Sequence, residues 1–479
     1  MSRSKLLIDN MLIYGLGSIL SKIVPFIMIP IVTRMMPNTE YFGLSDMTNT
    51  IVSFAQAFAI MGMYDALFRM YFDEKGVVFK QEVCSTALLF VIGNSIVIAL
   101  CMCLFSDPVS RIFFGTTEYI SLVFIAALST VIGGSGSILQ APTRMQNKRL
   151  VFIVVNLLSS ILTYGISVLL LMTNNYVLAL PLGFLSASTI SSAIFFGLNK
   201  SSFSLKRINF SLLKQMLIIG IPLMPTFLCY WVFSSVDKVM IVNYLGTGEE
   251  GIYAAAAMIG QASQLIYTAF SQGWQYFAFS TMNDEDQVEM TSKIYEYLGI
   301  ISFAATALLM ALITPLFGLF FPSEYANGVS SAPYLFLAPL TLMLFQILSN
   351  QLLVIKKTWP SFLLLLGGAI FNIILNLILI PMIGIEGAAI ATLTGYTLSN
   401  IAAYIVLSKM NLIKVERKFF LGVLVFAAYF LVWRIVLFGN TAGLLLVCVI
   451  FYCIIAIIYK KEITNVMKKT VNRFNQKDN

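Results

Sequence analysis

Apolar residues along this chain come in runs of about 20, each long enough to cross a ~30 Å hydrocarbon core as a helix rising about 1.5 Å per residue. The runs fall at residues 11–33, 43–64, 84–105, 118–140, 150–172, 176–197, 213–235, 251–279, 294–320, 331–355, 361–381, 385–407, 418–438 and 441–459. They predict an all-α polytopic membrane protein of about fourteen transmembrane helices. Pro25, Pro30, Pro222, Pro225, Pro339 and the Gly133–Gly134 pair lie inside several runs. Neighbouring helices can satisfy the backbone groups such residues free, so they predict bends. The first run is too long for a cleaved leader and lacks a small-residue cleavage site, so it is read as the first span.

Composition agrees: 59% of residues are hydrophobic and 11% charged, where a soluble chain has roughly a quarter charged. Charge placement sets the orientation. With both termini in the cytoplasm, 25 of the 30 lysines and arginines fall on the inner side, leaving Arg34, Arg111, Lys238 and Arg434 outside and Lys22 within a span. That asymmetry is the positive-inside signal and requires an even number of spans. The net charge of +8 therefore describes inner loops that attract anionic lipid headgroups, and nucleic acid is not an expected partner. The chain has no histidine, which removes the usual proton shuttle and histidine-dependent acyl transfer or hydrolysis. The six cysteines lie in or beside apolar runs, with no carboxylate near the Cys101–Cys103 pair, so neither a metal site nor a cofactor is expected.

Six runs precede the basic loop 198–214, six more reach about residue 407, and a pair follows. The expected organisation is an N-terminal six-helix lobe (1–200), a C-terminal six-helix lobe (201–408), and a terminal helix pair with a basic cytoplasmic tail (409–479). Aligning residue n with n + 208 places Thr39 on Thr247, Gly43 on Gly251 and Gln56 on Gln264. An even helix number per repeat relates the halves by an axis along the membrane normal. Two pseudo-symmetric bundles in a V around a central cleft follow, with helices 1, 2, 7 and 8 lining the cleft and the last two peripheral.

Polar residues inside the runs are the candidate chemistry. Lys22 lies roughly ten residues from either end of its run, where an ammonium costs on the order of 2.5–3.5 kcal/mol, so a cavity-facing role outweighs snorkelling. Asp46 sits near the outer end of the second run, where it reads equally as a helix cap or as a cleft residue. Asp65 and Arg69, four apart, can pair along one helix face as a gate or structural ion pair. Asp237 and Lys238 are adjacent and diverge by about 100° on a helix, so only one can point into a shared cavity. Gln56 and Gln264 add amides that either bond across helices or meet sugar hydroxyls. The acidic stretch 282–289 reads as a solvated inner loop.

The stretch "YGLGSILSKIVPFIMIPIVTRMMPNTEYFGLSDM" carries Gly17, Lys22, Phe26, Pro30, Thr33, Arg34, Pro37 and Gly43 in an order that resembles the first two helices of polysaccharide-biosynthesis (O-antigen) flippases, in the multidrug/oligosaccharidyl-lipid/polysaccharide exporter superfamily. "SSVDKVMIVNYLGTGEEGIYAAA", with Asp237, Lys238, Leu245, Gly246, Gly251, Tyr253 and Ala256, resembles that family's helix-seven signature. The resemblance implies translocation of an undecaprenyl-diphosphate-linked oligosaccharide across the bacterial inner membrane by alternating access. It also implies polymerase or glycosyltransferase neighbours, and a proton, sodium ion or the membrane potential as driving force. The diphosphate needs fixed cations in a wet cleft and the sugars need amides or aromatics. Lys22, Arg34, Asp46, Gln56, Asp237, Lys238 and Gln264 are the candidate cleft residues. Three alternatives stand: a multidrug extruder, which calls for an acidic or aromatic pocket; a lipid II flippase, which usually has more arginines in its first lobe; and a membrane enzyme, which needs outer carboxylates or a large outer loop that this chain lacks.

Overall fold

The computed structural model describes residues 23–74, 76–267, 270, 274, 285–355, 359–462 and 464, and every regular element among them is helical. In chain order these are α1 (Ile23–Met35), α2 (Glu40–Ile60), α3 (Met63–Met70), α4 (Val77–Leu104), α5 (Ser106–Phe114), α6 (Ile120–Met145), α7 (Arg149–Met172), α8 (Tyr176–Asn199), α9 (Phe210–Gly220), α10 (Met224–Trp231), α11 (Asp237–Leu245), α12 (Thr247–Gly260), α13 (Gln287–Phe320), α14 (Ala332–Val354), α15 (Trp359–Ile383), α16 (Ile385–Lys409), α17 (Arg417–Leu431) and α18 (Thr441–Ile458).

Among the described residues eleven helical stretches are long and apolar enough to cross a bilayer, and α2 with α3 supplies a twelfth if that bent pair is one span. The runs at 11–33 and 251–279 extend beyond the described residues. The run at 43–64 is broken rather than straight: α2 and α3 meet at 46° across Met61 and Gly62, both left-handed (φ 54° and 67°). Backbone contact explains the choice of glycine. A Cβ on Gly62 would lie 2.5 Å from the Gly220 carbonyl oxygen, and one on Gly220 would lie 2.4 Å from that of Met61. The span Phe210–Leu245 changes helix type along its length: beside Pro222 and Pro225, α9 passes through a 3₁₀ turn into α10, and a π turn at Val232–Val236 leads into α11.

The described chain gathers into two compact units. One holds residues up to Met258 with Phe321–Gly328 and Leu365–Thr392; the other holds Ile259–Phe320, Val329–Leu364 and the chain from Leu393. Lipid tails give apolar side chains no reason to leave them, so helices in a bilayer associate through close packing and polar contacts. In the first unit, small residues face hydroxyls: Cβ atoms on Gly134, Gly136 and Gly183 would lie 2.7, 2.5 and 2.2 Å from the Oγ of Ser95, Ser192 and Ser167. In the second unit α13 is the spine. Phe419 and Phe426 stack on its Phe303, while Tyr429 donates to the Ala307 carbonyl at 3.0 Å and Tyr452 to that of Ala304 at 2.8 Å. The terminal helices α17 and α18 are thereby fixed to α13. The acidic stretch ends in the first turn of α13, where Glu289 faces the positive end of the helix and pairs with Lys293.

The Gly62–Gly220 contact generates a test. Gly220→Ala should force α9 from α3 and lower the melting temperature in detergent by several degrees, an overpacking cost of about 1–3 kcal/mol. Gly93→Ala, with nothing within 4 Å of its Cβ, serves as control. Equal melting temperatures for the two variants would refute the contact.

Candidate functional site

The site forms where α11 turns back into α12. Gly246 (φ 93°, ψ 169°) makes that turn in a conformation that a side chain would strain, and it sets Tyr253 of α12 beside Asp237 of α11. Asp237 is only 3% exposed. Its Oδ1 accepts the Lys238 backbone N–H at 2.9 Å; its Oδ2 accepts the Tyr253 hydroxyl and, at 3.3 Å, that of Thr392. The chain of contacts continues into α15: Asn372 donates to Thr392 at 3.2 Å and Asn376 donates to Asn372 at 3.3 Å. A buried carboxylate with three donors is compensated as an anion.

Lys238 points elsewhere, as the 100° offset requires. Its Nζ lies 2.6 Å from Asp46 Oδ2 on α2, with 15% and 24% of the two side chains exposed. Glu250, in the first turn of α12, is fully buried. Neither of its carboxyl oxygens accepts a hydrogen bond from a donor among the described residues; the Asp46 carboxyl lies within hydrogen-bonding reach, and Lys238 and Asp237 also act on it. Three carboxylates thus surround one ammonium.

The α2–α12 crossing at this site is closed by glycine. A Cβ on Gly43 would lie 2.0 Å from the Thr247 carbonyl oxygen, and one on Gly251 would lie 2.0 Å from that of Thr39. The two contacts exchange under the 208-residue offset, Thr39 against Gly251 and Gly43 against Thr247. Glu40 braces the same end, accepting from the hydroxyls of Tyr119 at 2.8 Å and Thr247 at 3.3 Å.

Of the residues singled out by sequence, the structure brings together Asp46, Asp237 and Lys238. Lys22 lies outside the described residues. Arg34 is exposed on α1 and donates to the Pro30 carbonyl at 3.0 Å. Gln56, on α2, packs on α6, its Nε2 being 2.1 Å from where a Gly133 Cβ would stand. Gln264 belongs to the other unit. Arg69 pairs with Asp73 rather than Asp65; both acids are four residues away, but Asp73 lies just beyond the end of α3, where its backbone is free to place the carboxylate. Glu40, Glu250, Thr392, Asn372 and Asn376 were not singled out. The available signals were a glutamate at the edge of an apolar run and two asparagines four apart inside another.

Breaking the Asp46–Lys238 pair from one side leaves a lone charge in a low-dielectric setting, a loss of about 3–5 kcal/mol where the pair is buried. Lys238→Met and Asp46→Leu should each lower membrane abundance, and the double variant should recover most of it. Additive losses in the double variant, read by quantitative immunoblot, would show that the two side chains do not depend on each other.

With this geometry in hand, comparison with known proteins is informative. A family model described as "Polysaccharide biosynthesis protein" matches residues 31–330. An uncharacterised membrane protein of Methanocaldococcus jannaschii is 25% identical over 292 residues, 57% of this chain and 68% of that protein. A probable flippase, AglR of Haloferax volcanii, is 31% identical over 193 residues, 37% of this chain and 38% of AglR. Among solved structures, the lipid II flippase MurJ in an inward closed conformation superposes with a TM-score of 0.71 at 16% identity, covering 94% of this chain and all of that one. An inward-facing multidrug resistance MATE transporter superposes at 0.60 with 14% identity, covering 81% and 94%. These two structures establish a shared fold, and the family model goes further. The chain belongs to the family that this model describes, the polysaccharide biosynthesis proteins.

Proposed function

We propose that this protein moves an undecaprenyl-diphosphate-linked oligosaccharide across the bacterial inner membrane by alternating access between two six-helix lobes (1–200 and 201–408). In this reading fourteen spans form a V with helices 1, 2, 7 and 8 lining its cleft, both termini are cytoplasmic, and polymerase or glycosyltransferase neighbours supply and consume the substrate. The observation that carries the reading is the family match over residues 31–330. The printed description of AglR as a probable flippase supports the same class, a transporter rather than an enzyme.

The chemistry of the substrate supports it as well. A lipid-linked sugar diphosphate has a tail that stays in lipid and a head that cannot cross it. An apolar cavity of about 750 Å³ between α13, α14, α16 and α17, lined by Phe303, Leu337, Tyr404, Phe419, Phe426 and Phe430, suits a polyprenyl chain. For the diphosphate, Lys238 is spent on Asp46, so the cation role falls to Lys22 together with Arg34. Asp46, Asp237 and Lys238 then serve the helices that move, and Gln56 and Gln264 meet sugar hydroxyls. Asp65 and Arg69, both exposed on α3, belong to its rim.

Substitution of Lys22 tests the reading by complementation of surface-polysaccharide export, normalised to membrane protein level. Lys22→Arg should keep substantial export, because a guanidinium also binds phosphate oxygens. Lys22→Ala should lose roughly ten- to hundredfold, the value of one charge-assisted contact at about 1.5–3 kcal/mol. Lys22→Glu should be worse. Full export by Lys22→Ala at normal abundance would overturn the role.

A further inference from the structure

We infer that Glu250 carries a proton and that this proton latches a gate where α2 meets the α11–α12 hairpin; the inference rests on the transporter reading and names the group that regulates it.

Start from the charges. Asp237 is satisfied by three donors and Asp46 by the Lys238 ammonium. Glu250 is fully buried on the same face and receives no hydrogen bond among the described residues. An ionised carboxylate cannot stay in such a place without donors, so it binds a proton instead. Once protonated it becomes a donor itself. Among the charged groups acting on it, Asp46 on α2 and Asp237 on α11 are acceptors, and Asp237 already has its donors. Asp46 takes the hydrogen bond, and one proton spans α2 and α12.

The backbone geometry says what that proton holds shut. Gly43 and Gly251 pack directly against the carbonyls of Thr247 and Thr39, and Glu250 Oε2 is 3.0 Å from where a Gly43 Cβ would stand. No side chain interlocks at that contact. Its closure depends on the polar groups that flank it, namely Glu40 with Tyr119 and Thr247 at the end, and Asp46, Lys238 and Glu250 one turn in. Loss of the Glu250 proton to water leaves two carboxylates, on α2 and α12, competing for one ammonium, and like charges at that range drive the helices apart. Reclosing takes one proton back from water. The closed state is therefore full at low pH and lost as pH rises through the Glu250 transition. The other titratable groups facing it are Asp237, Lys238 and Tyr253, already bonded to one another or to Asp46, and Glu40, held by two hydroxyls.

Spin labels report the gate without substrate. Asn38→Cys, just before α2, and Tyr244→Cys, near the end of α11, are exposed and outside the cluster. They are introduced into the full chain with its six cysteines replaced by alanine, reconstituted in lipid nanodiscs. Pulsed electron double resonance should show one short distance at about pH 5 and a growing long-distance population towards about pH 9, the range in which buried carboxyls titrate. Glu250→Gln, which cannot ionise and keeps a donor, should keep the short distance throughout; if it fails to accumulate, Glu250→Met, which cannot ionise but has no donor, should abolish the pH response. Gly43→Ala should show the long distance at every pH. A distribution independent of pH in the parent, or an unchanged pH response in the non-titrating variant, overturns the proposal. Because no substrate is present, a responsive gate with no dependence of export on Lys22 would sink the substrate reading alone, and normal export with an unresponsive gate would sink the latch alone.

Discussion

The constraint on which this structure turns is the cost of charge in a low-dielectric slab. An ammonium and a carboxylate placed inside a bilayer protein must find each other, or find dipoles, because water is not there to solvate them. Lys238 and Asp46 meet that demand across 192 residues of sequence, and Asp237 meets it through a tyrosine, a threonine and its neighbour's amide. The consequence reaches beyond two side chains. Each contact specifies where one helix stands against another: α11 against α2, α11 against α12, and α11 against the start of α16. A π turn at Val232–Val236 precedes the pair, a distortion frequent at functional sites, and it sets the phase at which Asp237 and Lys238 leave the helix.

Glycine supplies the complementary half of the packing. Where apolar burial between helices gains little over burial in lipid, backbones must approach closely for dispersion and dipole contacts to accumulate. Gly62 with Gly220 and Gly43 with Gly251 are two such approaches, and they differ in kind. The first sits at a fixed bend flanked by buried apolar residues such as Met63, Ala66, Leu67 and Met216. The second is bordered by ionisable groups. One crossing is thus built from interactions indifferent to protons, the other from interactions that respond to them.

The shared fold does not by itself choose a cargo. A lipid II flippase and multidrug transporters adopt it at identities of 16% and 14%, so cargo has to be argued from side chains. The described cluster of Asp46, Asp237, Lys238 and Glu250 is directed inward at itself, so the proposed cargo site draws on other residues. That proposal separates a binding function from a latching one.

Several properties were determined by the sequence alone. Runs of about 20 apolar residues can form only helices in lipid, because each backbone group must be satisfied within its own segment; this dictated the all-α class. The motifs around Gly43 and Asp237 carried the family, and the 208-residue offset named the residues that turned out to touch at the α2–α12 crossing. Adjacent positions on a helix diverge by a geometry that needs no tertiary knowledge, so the separate directions of Asp237 and Lys238 were legible too. Partner choice was not. Arg69 has acids four residues away on both sides, and only the end of α3 decides for Asp73. Asp46 reads equally well as a helix cap until Lys238 arrives beside it, and Glu250 looks like an edge residue until α2 covers it. Local periodicity reports what a residue's own helix does with it. Whether a charge is paired, shared or stranded is fixed by which distant helix packs against it, and only the tertiary structure decides that.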